Sequence, residues 1–266
     1  MANPVLRGAV MIGANSLLLS YFMPDSRVMT PWFAPRLSSY ATRVVLQLGH
    51  CIPGRRGSVV VGEESRVSRL LFVKNGLVAR ALVHPGRSQP LVWSLSLPGS
   101  LCGGCQNLYS GDHLPRRHWT LRDSEVLEVP QELLLKIADR DVALHRELAA
   151  YCERSAMCDK LGLLVGHLAA NADRLQIFLA SALLAAGHDL HGGLGEASHL
   201  RLPPLPRREV VAQVVACSPA VVDRVLTEWI QSGDLKRGDG ALWISRERAL
   251  HSYHWLQQLL DSTSVT

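Results

Sequence analysis

Residues 206–244 read PRREVVAQVVACSPAVVDRVLTEWIQSGDLKRGDGALWI, and the order of apolar, capping and turn residues in this stretch decides the type of fold. Val210, Val211, Val214 and Val215 recur at the spacing of one helix face, and that helix ends near Ala216 and Cys217. Ser218 can cap a new helix through its hydroxyl, and Pro219 suits the first helical position, where an amide hydrogen would be unpaired anyway. A second helix therefore starts at once. Val221, Val222, Val225, Leu226, Trp229 and Ile230 give it an apolar face of helical period, and Gly233 stops it. Lys236 and Arg237, the turn Gly238-Asp239-Gly240 and the apolar run 242–244 then predict a two-stranded wing.

Two short helices joined by a tight turn set the polar face of the second against a DNA duplex, where it can enter the major groove. Ser218, Pro219, Ala220, Val221, Asp223 and Arg224 occupy the start of that helix, with Arg207 and Arg208 before the first and Lys236 and Arg237 on the wing. An arginine at position 224 can bond guanine O6 and N7 together, a contact that discriminates by about 1–3 kcal/mol. The basic wing suits phosphate. Between 201 and 248 there are eight Lys/Arg against six Asp/Glu, so the geometry argues for DNA more strongly than the charge does. The alternative, a protein-interaction module on the same fold, requires these side chains to be buried or neutralised.

Upstream, short apolar runs between 43 and 84 (VVLQL, SVVV, LLFV, LVARALV) are broken by Gly, Pro and charge, which predicts strands and turns, with a hairpin at Asn75-Gly76. Further strands are expected over 90–97 and 119–129. Repetition at this spacing suggests a β-barrel or jelly roll. After Pro130 the period becomes helical, over 131–137 and then over 141–170, a length of about 45 Å at 1.5 Å per residue. Leu144, Leu148, Tyr151, Ser155, Cys158, Gly162 and Val165 alternate spacings of four and three, the seam of a coiled coil, and predict a dimer interface. Met157, Leu161, Leu164 and Leu168 form a second stripe, expected to face the barrel. A helix over 173–186 and a Gly/Pro loop over 187–205 lead to the C-terminal unit.

The expected fold is α+β: an extension over 1–30, a β-barrel or jelly-roll sensor like a cyclic-nucleotide-binding domain over 31–138, a dimerisation helix over 139–171 and a winged helix-turn-helix over 172–266. In order and spacing, residues 40–248 resemble the CRP/FNR superfamily of bacterial transcription regulators. ACS at 216–218 and DRVL at 223–226 carry the most specific part of that resemblance, and SVVVGEESRVSRLLFVKNGLV and WTLRDSEVLEVP look like early and late strands of the sensor. The resemblance implies a homodimer that binds a two-fold site on double-stranded DNA and recruits or blocks RNA polymerase. Nucleotide-binding members clamp the cyclic phosphate with Gly-Glu-Leu and an Arg-Ser pair. Here residues 99–105 read GSLCGGC and 115–118 read PRRH, so Arg116 matches the arginine, no glutamate is present and Arg117 replaces the serine. The resemblance therefore implies an effector other than a cyclic nucleotide, with Cys102, Cys105, Arg116 and Arg117 as candidate contacts. Pro219 and Ala220 stand where many members carry Arg and Glu, which implies a different operator.

Composition narrows the classes further. With 47% apolar residues the chain can pack a core, and 28 Lys+Arg against 23 Asp+Glu is a mild bias towards a polyanion. Six cysteines in 266 residues are not a disulfide framework, which points to a reducing, cytoplasmic setting. The apolar stretch 9–23 is interrupted by Gly13, Asn15, Ser16 and Ser20, is too short to span a bilayer and lacks a cleavage pattern, so no membrane is expected. Cys102 and Cys105 with His113 and His118 could close on zinc or form a redox pair, but small residues in a turn are the simpler reading, and no metal is assigned. His188, His191 and His199 read as loop residues. No nucleophile elbow, P-loop or dinucleotide fingerprint occurs, so no catalytic residue is expected.

Overall fold

Ser38 accepts a hydrogen bond from the Ala41 amide at 3.1 Å and so starts helix α1, Ser39–Leu48. The run VVLQL, expected as a strand, is the second half of this helix. Its apolar residues continue a face begun at Ala41, and Ala41 and Val45 are fully buried. A computed structural model describes residues 29–263, apart from 64–67, 85, 87, 106–107, 111–113 and 192–197. The expected extension thus lies outside the described residues except for its last two positions, as does His113.

Eight strands follow: β1 (His50–Gly54), β2 (Val59–Val61), β3 (Arg69–Asn75), β4 (Val78–Leu82), β5 (Leu91–Ser96), β6 (Leu101–Gly103), β7 (Arg116–Thr120) and β8 (Ser124–Pro130). They form two four-stranded antiparallel sheets, in the orders β1-β8-β3-β6 and β2-β7-β4-β5. Val61, Leu71, Val73, Val78, Cys102 and Val126 come from both sheets and share one core. The expected hairpin at Asn75-Gly76 does not form, because β3 and β4 belong to different sheets. Gly76 instead turns the chain from one sheet to the other at φ 103°, where a Cβ would lie 2.0 Å from Ser124 Oγ. The single strand expected over 119–129 is two strands around the turn at 121–123.

Helices α2 (Gln131–Ala138), α3 (Val142–Leu168) and α4 (Asn171–Ala185) come next. The Asp141 carboxylate caps α3, accepting from the Ala143 and Leu144 amides, each at 3.1 Å. Tyr40 donates to the same carboxylate and Ser38 donates to Glu147, so α1 is stapled to the first turns of α3. Further along, Tyr151 Oη accepts from the Leu101 amide of β6 at 2.7 Å.

The orientation of α3 overturns the expected interface. Leu144, Leu148, Tyr151, Ser155, Cys158 and Val165 are each no more than 1% exposed within one copy, and Gly162 is buried beside Trp32. Those seven positions are covered by the chain's own residues and have no surface left for a second copy. The other stripe is the open one: Met157, Leu164 and Leu168 are 41%, 37% and 61% exposed, while Leu161 is buried. Spacing alone could not distinguish the two faces, since a small-residue seam fits an indole as well as a partner helix.

The space between α3 and the sheets also holds polar groups. Arg80 of β4, 1% exposed, bonds both oxygens of Asp159 on α3, Nη1 to Oδ1 at 3.2 Å and Nη2 to Oδ2 at 2.9 Å. It also reaches Ser94 Oγ at 3.0 Å and lies 5.5 Å from the centre of the Trp93 ring. His118 faces Arg80 across the β4–β7 ladder. Its Nδ1 must donate to the Cys102 carbonyl at 2.5 Å, since a carbonyl can only accept, which leaves Nε2 buried with no hydrogen-bond partner. Burial, and secondarily the Arg80 charge, lower the pKa of this imidazole to about 3.

The C-terminal part comprises β9 (His199–Arg201), α5 (Arg208–Val214), α6 (Pro219–Ser232), β10 (Leu235–Gly238), β11 (Ala241–Ser245) and α7 (Arg246–Thr263). The antiparallel sheet β10-β11-β9 takes its third strand from the stretch expected as a loop. Phe178 of α4 meets Phe33 at 5.1 Å between ring centres and Trp32 at 6.2 Å, joining this part to the sheets.

Two outcomes are expected. A Cβ at position 162 would sit 2.6 Å from Trp32 Cδ1, so Gly162→Leu should lower stability by about 1–3 kcal/mol through overpacking, whatever the protein concentration. Thermal unfolding over a hundredfold range of concentration checks this, and a loss seen only in a concentration-dependent dimer would contradict it. His118 stays neutral in the folded chain down to about pH 3, whereas the unfolded chain takes up its proton below about 6.5. Its stabilising contribution is therefore whole above pH 6.5 and falls as pH drops towards 3. Between pH 7 and 5 the wild type should lose about 2 kcal/mol more than His118→Phe in denaturant unfolding.

Candidate nucleic-acid interface

Helices α5 and α6 meet at 105°, within the range of helix pairs that dock in a DNA groove. Ala216 makes the turn by taking φ 54°, unusual for a residue with a side chain, and two bonds hold it. The Cys217 amide donates to the Ala212 carbonyl at 2.9 Å, and Arg174 of α4 donates to the Ala216 carbonyl at 3.0 Å. Ser218 Oγ accepts from the Val221 amide at 3.3 Å and starts α6, while Gly233, at φ 82°, ends it. Val222, Val225 and Trp229 are buried with Val211, Val215, Leu235 and Ile244, which fixes the face of α6 turned outward.

On that outward face Ser218, Pro219, Ala220, Asp223 and Arg224 are exposed and Val221 is half-buried. Arg224 is 67% exposed and lies 3.9 Å from Glu228, one turn along. Arg207 and Arg208 are exposed at the start of α5. Arg208 is engaged within the chain, with Asp223 across the helix pair and with Glu209 beside it at 3.0 Å. Two predicted contact residues thus bind each other. Lys236 stands opposite Trp243 and Arg237 opposite Leu242 in the β10–β11 ladder, so the two cations project from opposite faces of the ribbon. Arg237, with Arg122 of the β7–β8 turn and Pro203, borders a cavity of about 980 Å³. A second cavity, of about 710 Å³, is bordered by His199, Arg246 and His251.

Two supporting residues were not anticipated from the sequence. Arg174 holds the α5–α6 turn, and Arg248 of α7 donates to Asp234 at 2.7 Å while lying 5.0 Å from the Trp229 ring centre. The only sequence signal for Arg174 is a charge within a helix that is otherwise mostly apolar, and Arg248, in the polar helix α7, has none.

Of the candidate effector residues, Cys102, Cys105 and Arg116 are buried and Arg117 is half-buried. Cys102 joins the core between the sheets, whereas Cys105 joins the cluster containing Leu101 and Tyr151. Burial pushes the Cys102 thiol up to about 12 and raises that of Cys105, so both are held as inert thiols. Arg116 points inward at 3% exposure, and Arg117, the next residue along the strand, points outward towards Glu63 at 4.0 Å. Arg80 is the residue missed here: a single charge inside the run LVARALV, at a position where strand alternation could have flagged it. Among the described residues no group of three His, Cys, Asp or Glu side chains could hold a metal ion, and no single helix is long and apolar enough to cross a membrane.

No protein-family model and no curated protein matches the chain. Solved structures do match. FixK2 from Bradyrhizobium japonicum is 21% identical with a TM-score of 0.62, the match covering 78% of this chain and 96% of that one. A mutant of CooA from Carboxydothermus hydrogenoformans is 13% identical with a TM-score of 0.59, over 85% and 99% of the two chains. CLP of Xanthomonas campestris, described as a c-di-GMP responsive global regulator, is 15% identical with a TM-score of 0.54, over 78% and 99%. At these identities it is the fold alone that this chain shares with these proteins.

Proposed function

We propose that the chain is a sequence-specific, DNA-binding transcription regulator of the cytoplasm that acts as a homodimer, with α5, α6 and the β10–β11 ribbon as a winged helix-turn-helix. One observation carries the proposal. The helix pair meets at the angle DNA readers use and leaves Arg224 exposed on the outward face of the second helix. Arg224 reads a base edge, which requires it to leave Glu228, and Lys236 meets phosphate from one face of the wing. Arg208 and Asp223 serve as a mutual brace that positions the helix pair, and Arg207 is left for the backbone. RNA polymerase is the expected second partner once the protein sits on its site. The chain supplies no catalytic group to this function.

A dimer brings two such helices to two half-sites. The open stripe of Met157, Leu164 and Leu168 on α3 supports pairing through that face, because large apolar side chains in line on a helix are stabilised by covering one another. The space between α3 and the sheets is no cyclic-nucleotide clamp in this reading, since the buried Arg80 there is committed to Asp159.

The test is binding to genomic fragments selected by the purified protein. Arg224→Ala should lose preference at one base pair per half-site, about 1–3 kcal/mol, while Lys236→Ala should weaken all sequences alike and reduce the salt dependence. Unchanged binding by both variants would refute the assignment. Leu164→Glu combined with Leu168→Glu should sediment as a folded monomer at micromolar concentration, where the wild type sediments as a dimer. A double variant that remains dimeric would put the interface elsewhere.

A further inference from the structure

Among the described residues Asp159 is the carboxylate bonded to Arg80, and the pair spans the gap between strand β4 and helix α3. Its surroundings are built for an anion. Arg80 presents both terminal nitrogens to the two oxygens, the fork-to-fork geometry guanidinium groups use for carboxylates, and is held from behind by Ser94 and the Trp93 ring. Arg116, also buried, is near enough that its charge and that of Arg80 bear on each other. With Arg80 1% exposed, an anion in the Asp159 seat is held more strongly than the same contact would be in water.

That seat lies on the helix which also carries the open stripe. Asp159 is two residues from Met157 and five from Leu164, so whatever binds Arg80 fixes the rotation of the stripe relative to the sheets. In a regulator whose sensor works on its helix through a bound small molecule, that molecule has to be present for the helix to take its working position. Here the chain holds α3 with a carboxylate of its own.

We infer that Asp159 acts as an internal ligand: its carboxylate, seated on Arg80, holds α3 in the DNA-binding arrangement, so the protein binds its operator without any added small molecule. Arg80 is then a positioning residue, acting on DNA only through α3. The inference rests on the proposed DNA-binding function for its readout, but not for the seat itself.

Chemical rescue tests it. Wild-type protein, unfolded, dialysed and refolded to strip small molecules, should bind its best genomic fragment as tightly as before, with less than a twofold change on adding a small-molecule filtrate of cell lysate. Asp159→Ala should bind at least tenfold more weakly, and 50 mM formate should recover most of that loss, because formate fits the vacated seat. Formamide, of the same shape but uncharged, should recover none. Thermal unfolding and hydrogen exchange of residues 157–168 should follow the same pattern, formate protecting the variant and formamide not. Arg80→Met with Asp159→Leu, an apolar pair of similar bulk, should fold and show no response to formate.

Dependence of the stripped wild type on the filtrate would overturn the inference. So would undiminished DNA binding by Asp159→Ala, or a loss that formate and formamide relieve equally. If the wild type bound no genomic fragment at all, the DNA-binding proposal would fail by itself, and formate-specific protection of α3 would still decide the seat.

Discussion

A guanidinium group taken out of water has to be met by an opposite charge, and in this chain that requirement ties a strand to a helix. Arg80 is 1% exposed, and without Asp159 its burial would be among the costliest features of the molecule. The opposing solution, an apolar pair, would pack as well but would fix nothing about the rotation of α3. Two parallel hydrogen bonds do fix it. They act with the Tyr151 bond to β6, the Asp141 cap and the Trp32 indole against Gly162, all of which lie on the face of α3 turned to its own chain. The open stripe then takes its place by default on the other side.

This division of α3 is why the middle of the chain was the hardest part to infer. A spacing of four and three marks a face that is covered, but not by what. The small residues Ser155, Cys158 and Gly162 suit a close helix pair, and they suit equally an indole arriving from Trp32, more than a hundred residues earlier in the chain. Nothing local distinguishes the two. The same holds for Asn75-Gly76, where the left-handed turn was legible but not the side of Ser124 against which it closes, so a corner between sheets looked like a hairpin.

The C-terminal helices were far more legible, because their determinants are local. Ser218, Pro219 and Gly233 act within a few residues of themselves, and Val222, Val225 and Trp229 declare a buried face by period alone. From such signals the outward residues could be named. What could not be named was how they pair, since Arg208 finds Asp223 only after two helices have crossed, and Lys236 and Arg237 part company only once a strand alternates them. Cys102 and Cys105, three residues apart in sequence, pack into different clusters, which their spacing alone could not tell.

The internal ion pairs of the α5–α6 surface bear on the time such a protein would spend at the wrong place. An arginine already met by Asp223 or Glu228 gains little from a passing phosphate, because it must first give up the partner it has. Contact with an arbitrary stretch of duplex is then shallow, and residence there is brief. If the chain reads DNA as proposed, a base edge at a matched site offers Arg224 a bidentate bond in place of Glu228, and the exchange favours release there alone. On a chromosome, where wrong sites outnumber the right one by many orders of magnitude, a surface that neutralises itself shortens the search.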